Sequence, residues 1–258
     1  MVKITFLGTC SGTEPMAGMH HCSLVVTVDG VNYWFDAGEN CSHAAYTSGI
    51  DVTKIRAVFI SHMHIDHIGG LPNLMFTVNK VVHVTKKEFI NGGKYDLFLP
   101  DAGGYDAIKK ISTSYRTTAQ TPVTETVHQV YDGVVFEDER IKVTANHSTH
   151  LKETGEDGWH AFSYLIEAEG KRILFSGDVG TPLDTDPIIG DGVDLFIMET
   201  GHHKVADVLD FMSKRNIKKL VFNHHGREII GDREAANEKI RESGLNAEIL
   251  SDMQVEIL

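Results

Sequence analysis

Hydrophobic positions recur along this chain with two different periods, and the switches between them sketch the elements. Val2, Ile4 and Phe6 alternate with polar neighbours as a strand does. Ser23 to Phe35 reads as an apolar-rich hairpin folded at Asp29-Gly30, a strong turn dipeptide. Ala57-Val58-Phe59-Ile60 is a short, wholly apolar strand. The period then changes: Ile68, Leu71, Leu74, Met75 and Val78 recur at helical spacing, and Gly69-Gly70-Leu71-Pro72 eases the chain into a helix that packs on the sheet.

The middle is less regular. Lys94–Leu99 reads as a strand, Tyr105–Ile111 as a short helix and Thr113–Thr126 as a polar surface loop. Val127–Ala145 reads as strands turning at Asp132-Gly133 and around Asp138-Glu139. The last third alternates clearly. Strands are expected at Ala161–Ala168, Arg172–Ser176, Asp194–Met198, Lys219–Phe222, Glu248–Leu250 and Val255–Leu258, with Glu169-Gly170 as a turn. Helices are expected around Val205–Met212 and over Arg233–Ser243. No linker, low-complexity stretch or short repeat interrupts the pattern. The expectation is an α/β chain folded as one domain over residues 1–258, with helices outside two packed sheets.

Composition narrows this further. The 258 residues are 41% hydrophobic, enough for a full core, and the formal net charge is −12. Such acidity repels nucleic-acid backbones unless a local basic patch overrides it. The three cysteines, Cys10, Cys22 and Cys41, are odd in number and lack CxxC spacing, which suits a reducing compartment. The opening strand is too short for a signal-peptide core and no apolar run reaches membrane-spanning length, so the expected location is cytoplasmic, with no membrane partner.

Histidine carries the chemistry. Residues 61–70 read Ser-His-Met-His-Ile-Asp-His-Ile-Gly-Gly, so His62, His64, Asp66 and His67 crowd onto the loop after the apolar strand. Burying such a group costs free energy unless a cation binds it, and a divalent metal is the simplest candidate. Further ligands are expected at other strand ends. Asp178 follows Arg172–Gly177, His224 follows Leu220–Asn223, and His150 or His147 follows the strand beginning at Ile141. Asp36 reads as a residue that hydrogen-bonds its own loop, and the cysteines as small core or loop residues.

The His62–Gly70 segment resembles the HxHxDH signature of the metallo-β-lactamase superfamily. Phe35-Asp36-Ala37-Gly38, a third His, Ser176-Gly177-Asp178 and a late His match its other landmarks in order, from about Phe6 to His224. The resemblance implies an αββα sandwich of two mixed sheets flanked by helices, with two divalent metal ions at one edge. It implies one ion on His62, His64 and His150, the other on Asp66, His67 and His224, and Asp178 bridging them. His147 is the alternative to His150, and His225 to His224. Zinc suits imidazole-plus-carboxylate ligation, with manganese or iron as alternatives. Two such cations lower the pKa of a bridging water and give hydroxide at neutral pH, which suits hydrolysis. Flavodiiron relatives carry Glu where this chain has His64, which argues against an iron oxidoreductase.

Within the superfamily, Phe6 to Pro15, Gly69-Gly70-Leu71-Pro72 and Glu199-Thr200-Gly201-His202 resemble the ribonuclease Z group of phosphodiesterases. That resemblance implies that His202, backed by Glu199, assists at the leaving oxygen, with His203 as the alternative. With Asp66 these make up the expected catalytic set. Two departures matter. His150 and Asp178 are only 28 positions apart, too few for the tRNA-gripping arm, and Met19-His20-His21-Cys22 stands where the group carries an early Arg. With the acidic charge, these disfavour tRNA as substrate. They favour a small or cyclic phosphodiester, as in armless relatives of the phosphonate-pathway cyclic phosphodiesterase type. A ribonuclease Z-like endonuclease and a hydrolase of carboxylic esters, lactones or thioesters are the alternatives; a non-catalytic binding member is disfavoured by the full ligand set. Arg227 reads as an exposed residue or a phosphate contact, and a homodimer is expected by resemblance alone.

Overall fold

The computed structural model describes residues 1–12, 17–114, 116–151 and 158–258. Thr13, Glu14 and Pro15 of the opening motif, Tyr115 of the Thr113–Thr126 segment, and 152–157 between His150 and Asp178 lie outside the described residues.

Fourteen strands are described, in chain order: β1 Val2–Gly8, β2 Ser23–Val28, β3 Val31–Phe35, β4 Ile55–Phe59, β5 Lys94–Leu99, β6 Thr124–Gln129, β7 Gly133–Glu137, β8 Ile141–His147, β9 Phe162–Ala168, β10 Lys171–Phe175, β11 Leu195–Glu199, β12 Leu220–Asn223, β13 Ala247–Ile249 and β14 Val255–Ile257. They form two seven-stranded mixed sheets, ordered β14-β1-β2-β3-β4-β5-β6 and β13-β12-β11-β10-β9-β8-β7. In the first, β3 to β6 run parallel and the remaining pairs are antiparallel. In the second, β10 to β13 run parallel. The fold is the αββα metallo-β-lactamase sandwich.

The hairpin turns follow local chemistry. Asp29-Gly30 and Glu169-Gly170 adopt left-handed φ values of 50° and 75°, and 50° and 70°, as tight two-residue turns demand. Asp132-Gly133 differs, because it carries the chain from the edge of one sheet to the edge of the other. Thr113–Thr126 is more ordered than a polar loop. The helix Tyr105–Thr113 precedes it, Thr118–Gln120 makes a 3₁₀ turn, and β6 begins at Thr124. An edge strand with exposed threonines lacks the apolar alternation that marks a strand in sequence.

The central strands are buried on both faces. Ala57 and Phe59 of β4 join the core between the sheets, whereas Val58 and Ile60 face the outer layer with Leu71, Leu74, Met75 and Val78. Those four residues line the helix Leu71–Thr85, with Pro72 in its first turn. Between the sheets Phe59 stacks on Phe35 and Phe98, each with ring centroids 4.8 Å apart. Burying each such ring stabilises the fold by roughly 1.5–3 kcal/mol. The other outer layer packs Val205–Ser213 and Arg233–Ser243 on the second sheet. Cys10, Cys22 and Cys41 are buried and form no disulfide with one another. Among the described residues no helix is long and apolar enough to cross a membrane. This rigid frame matters for function because the parallel strands of both sheets end at one edge, where loops carry the histidines.

Candidate metal centre

Each candidate ligand follows the carboxyl end of a strand. β4 runs into Ser61 and His62. The single helical turn Ile65–Ile68 then buries Asp66 and His67. Asp178 follows β10 through Gly177, whose φ is +55°. A Cβ at Gly177 would lie 2.7 Å from the Ser61 Cβ and 2.9 Å from the Phe162 carbonyl, so only glycine lets the exits of β4 and β10 pass this closely. His224 follows β12 with φ +48°, a left-handed conformation that costs a non-glycine residue free energy and that recurs at functional sites.

Two trios of donors face a shared carboxylate. In the first, His62 Nε2 lies 2.9 Å from His64 Nδ1, and His150 Nε2 lies 3.4 Å from His64 Nδ1. Asp178 Oδ2 is 3.6 Å from His62 Nε2 and 3.7 Å from His150 Nε2. In the second, His224 Nε2 lies 3.0 Å from His67 Nε2 and 3.1 Å from Asp66 Oδ2. Asp178 Oδ1 is 3.4 Å from His67 Nε2 and 3.4 Å from His224 Nδ1. Tetrahedral ligation at metal–nitrogen distances of about 2.0–2.1 Å puts neighbouring donors about 3.3–3.4 Å apart. The donors cluster at that spacing. Asp178 Oδ1 is buried without a hydrogen-bond partner, a costly state that a cation bound nearby would relieve. By spacing and chemistry, this donor set fits divalent cations.

Electrostatics point the same way. Burial pushes the Asp178 carboxyl up, but His224 and His67 outweigh it and hold it well below the usual carboxylate range. Burial likewise raises Asp66, and the His224 hydrogen bond with the His67 charge brings it down. Burial and the neighbouring His67 drive His62 well below an ordinary imidazole, which leaves it neutral and able to ligate. Burial lowers the His67 pKa, but Asp178 and Asp36 outweigh it and raise it well above an ordinary imidazole, so this ring holds a proton that a bound cation would have to displace.

Asp36 does more than brace its own loop. Its Oδ1 accepts from the Ser61 amide at 2.6 Å, and its Oδ2 accepts from the Ser61 hydroxyl at 2.7 Å and from His67 Nδ1 at 2.6 Å. It thereby fixes the ring of His67 with Nε2 facing the cluster. The signal was present in sequence as Asp36 directly after a strand, but a contact 31 positions away could not be read there. Asp36→Ala is expected to weaken metal affinity about 10–100-fold. It also leaves the Ser61 amide buried and unpaired, at a cost of about 1–3 kcal/mol. Chelator competition and thermal unfolding measure the two effects.

The alternative histidines lie elsewhere. His147 ends β8, sits 2.7 Å from Asp132 Oδ2 and stacks on Trp159 at 4.1 Å. The turn beyond it brings His150 into the cluster, held by the Ser148 hydroxyl donating to the Asp178 carbonyl at 2.7 Å. His225 is buried and its Nε2 donates to the Leu250 carbonyl at 2.9 Å. His203 Nε2 donates to the Val179 carbonyl at 2.9 Å. His20 pairs with Asp252 at 2.8 Å, and this carboxylate also accepts from Thr9, anchoring the segment that leads to Ser11 and Gly12.

His202 stands over the cluster. Its Nδ1 lies 3.0 Å from Glu199 Oε1 and 3.7 Å from Asp178 Oδ2. The Glu199 hydrogen bond raises its pKa against the opposing effect of burial. A cavity of about 250 Å³ opens here, lined by Ser11, Gly12, His64, Asp66, Asp178, Gly201, His202 and His224.

Comparison with known proteins agrees with this geometry. Ribonuclease Z of Listeria monocytogenes serotype 4b is 28% identical over 257 residues, covering 96% of this chain and 74% of that protein. Ribonuclease Z of Bacillus velezensis is 32% identical over 170 residues, covering 64% and 49%. The crystal structure of the short form of human tRNase Z superposes with a TM-score of 0.70 at 18% identity, covering 99% of this chain and 98% of that one. The metallo-β-lactamase fold protein YhfI from Bacillus subtilis gives 0.75 at 15% identity, covering both chains fully at 100%. The protein is thus a metal-dependent hydrolase of the metallo-β-lactamase fold, ribonuclease Z-like in kind. Within that class it belongs to the family described as anti-Pycsar protein Apyc1, whose model matches residues 2–195.

Proposed function

We propose that the chain is a dinuclear phosphodiesterase acting on a small or cyclic phosphodiester. The observation that carries this reading is Asp178, with one carboxylate oxygen turned to each trio of donors. His62, His64 and His150 would hold one cation, Asp66, His67 and His224 the other, and zinc suits both sets, with manganese or iron as alternatives. The bound ions supply Lewis acidity and an acidified water.

The protein residues do the rest. Asp36 orients His67, and Glu199 holds His202 by Nδ1. The remaining ring nitrogen, Nε2, delivers a proton to the oxygen that leaves as the P–O bond breaks. The support for a phosphoester over a carboxylic ester is this acid beside the ions, together with relatives named ribonuclease Z and a structural neighbour described as a diphosphatase of the PhnP family. The support for a small substrate is a cavity of about 250 Å³ on a chain of net charge −12.

Bis(p-nitrophenyl) phosphate, precursor tRNA, a lactone and a thioester, each supplied with Zn²⁺ or Mn²⁺ and then with chelator, form the test. Metal-dependent cleavage of the small phosphodiester alone is the expected result. No phosphodiester turnover with any metal overturns the proposal. Cleavage of tRNA in preference favours the endonuclease reading, as the Listeria relatives suggest.

A further inference from the structure

The ligands of the two trios are braced in different ways. His62 is tied into the fold by its backbone bridge to Ala161. Asp66 and His67 share one helical turn, and Asp36 holds the His67 ring. His150 stands differently. The β8 ladder ends at His147 opposite Phe162, so His150 is carried by the turn beyond the sheet. Ser148 fixes the base of that turn, its amide donating to the Ala161 carbonyl at 2.8 Å and its hydroxyl to the Asp178 carbonyl. Thr149, the next residue, is held from another part of the chain.

The holding group is the Asp184 carboxylate. Its Oδ2 accepts from the Thr149 amide at 2.8 Å and from the Thr149 hydroxyl at 2.9 Å. The same oxygen accepts from the Gly180 amide at 3.0 Å and from the Thr181 amide at 3.3 Å. Oδ1 has a longer contact to the Thr149 hydroxyl, at 3.2 Å. One carboxylate thus joins the residue before His150 to the loop just past Asp178. The Asp184 carbonyl adds a further tie, accepting from Asn146 Nδ2 at 3.0 Å. The two segments pass closely: a Cβ at Gly180 would lie 2.8 Å from the Thr149 carbonyl carbon. Asp184 is itself anchored, in the 3₁₀ turn Pro182–Thr185 that Thr181 closes with a capping box. Hydrogen bonds from backbone amides to an ionised carboxylate are roughly twice as strong as neutral ones.

We propose that Asp184 is a positioning residue for the first cation, docking the turn that bears His150 against the loop that bears Asp178. The inference rests on the dinuclear reading of the centre. It gives Asp184 no contact with ion or substrate; the residue acts through His150.

The test is zinc titration of the full chain against a competing chelator. The parent protein is expected to bind two ions. In Asp184→Ala the affinity for one of them should fall about 10–100-fold, the usual scale for groups that orient a ligand, while the other is unchanged and reports an intact fold. Asp184→Asn should keep most of the affinity, because its amide oxygen can replace Oδ2 before the same donors. Turnover of bis(p-nitrophenyl) phosphate by the alanine variant should drop at limiting zinc and return as zinc is raised. A double-mutant cycle isolates the route. In a His150→Ala background, Asp184→Ala should cause no further loss of zinc affinity.

Parental affinity for both ions in Asp184→Ala overturns the inference, as does an equal loss of both. An asparagine variant as weak as the alanine one overturns it too, because charge rather than contact would then matter. So do losses that add in the double variant. A parent protein that binds one ion overturns the dinuclear reading instead. If that ion is weakened by Asp184→Ala only while His150 is present, the positioning role stands; if it ignores Asp184, both fall.

Discussion

Asp178→Ala is expected to lower turnover of bis(p-nitrophenyl) phosphate by about 10³-fold or more, since the ions contribute several kcal/mol of transition-state stabilisation. If the centre is dinuclear as proposed, it is also expected to reduce bound metal from two ions per chain to one or none. The reason lies in the charge of the two trios. His62, His64 and His150 bring no negative charge of their own, so Asp178 Oδ2 is the anionic donor nearest that trio. The second trio holds Asp66 and depends on Asp178 less. The first ion should therefore be lost before the second. Asp178→Asn preserves the shape and removes the charge, and it should behave like the alanine variant if charge is what the trio needs. Metal analysis of the purified variants, alongside kinetics, measures both effects. Two ions retained with parental turnover would remove Asp178 from the centre.

Much of the centre is legible in sequence because its donors are crowded or sit directly after strands. His62, His64, Asp66 and His67 fall within six positions after an apolar run, a density that a solvated loop rarely shows. Asp178 and His224 are visible for a related reason, as polar residues shortly after the apolar strands Lys171–Phe175 and Leu220–Asn223. The choice between His147 and His150 is different. Both follow the same strand, and the decision depends on where β8 stops pairing. The ladder runs to His147 opposite Phe162, so the next residues form the turn that carries His150 inward.

Long-range contacts are what sequence pattern hides. The Asp36–His67 hydrogen bond joins residues far apart in the chain through the ends of neighbouring strands. The short helices Cys41–Thr47 and Asp186–Ile189 were hidden for another reason. One or two turns hold too few residues for a helical period to stand out.

The Glu199–His202 pair yields the second large effect, and here the leaving group decides the outcome. A nitrophenolate departs without a proton, whereas the alkoxide released from a dinucleotide does not. If His202 Nε2 delivers that proton, His202→Ala should lower kcat on a dinucleotide by roughly 10²–10⁴-fold, the usual scale of general acid catalysis. The same variant should change bis(p-nitrophenyl) phosphate turnover only a few-fold and leave bound metal intact. A residue that merely shaped the pocket would depress both substrates alike.

The pH profile supplies an independent check. The Glu199 hydrogen bond raises the His202 pKa, so the protonated imidazole, and with it activity, declines as pH rises through that raised value. Glu199→Gln removes the anion and lowers the pKa. The alkaline limb on the dinucleotide should then move to lower pH, while the profile on the nitrophenyl ester holds its shape. His203→Ala serves as the contrast, because His203 spends its Nε2–H on the Val179 carbonyl and does not line the catalytic cavity. Equal losses on both substrates in the His202 variant, or an alkaline limb that ignores Glu199, would show that His202 is not the acid.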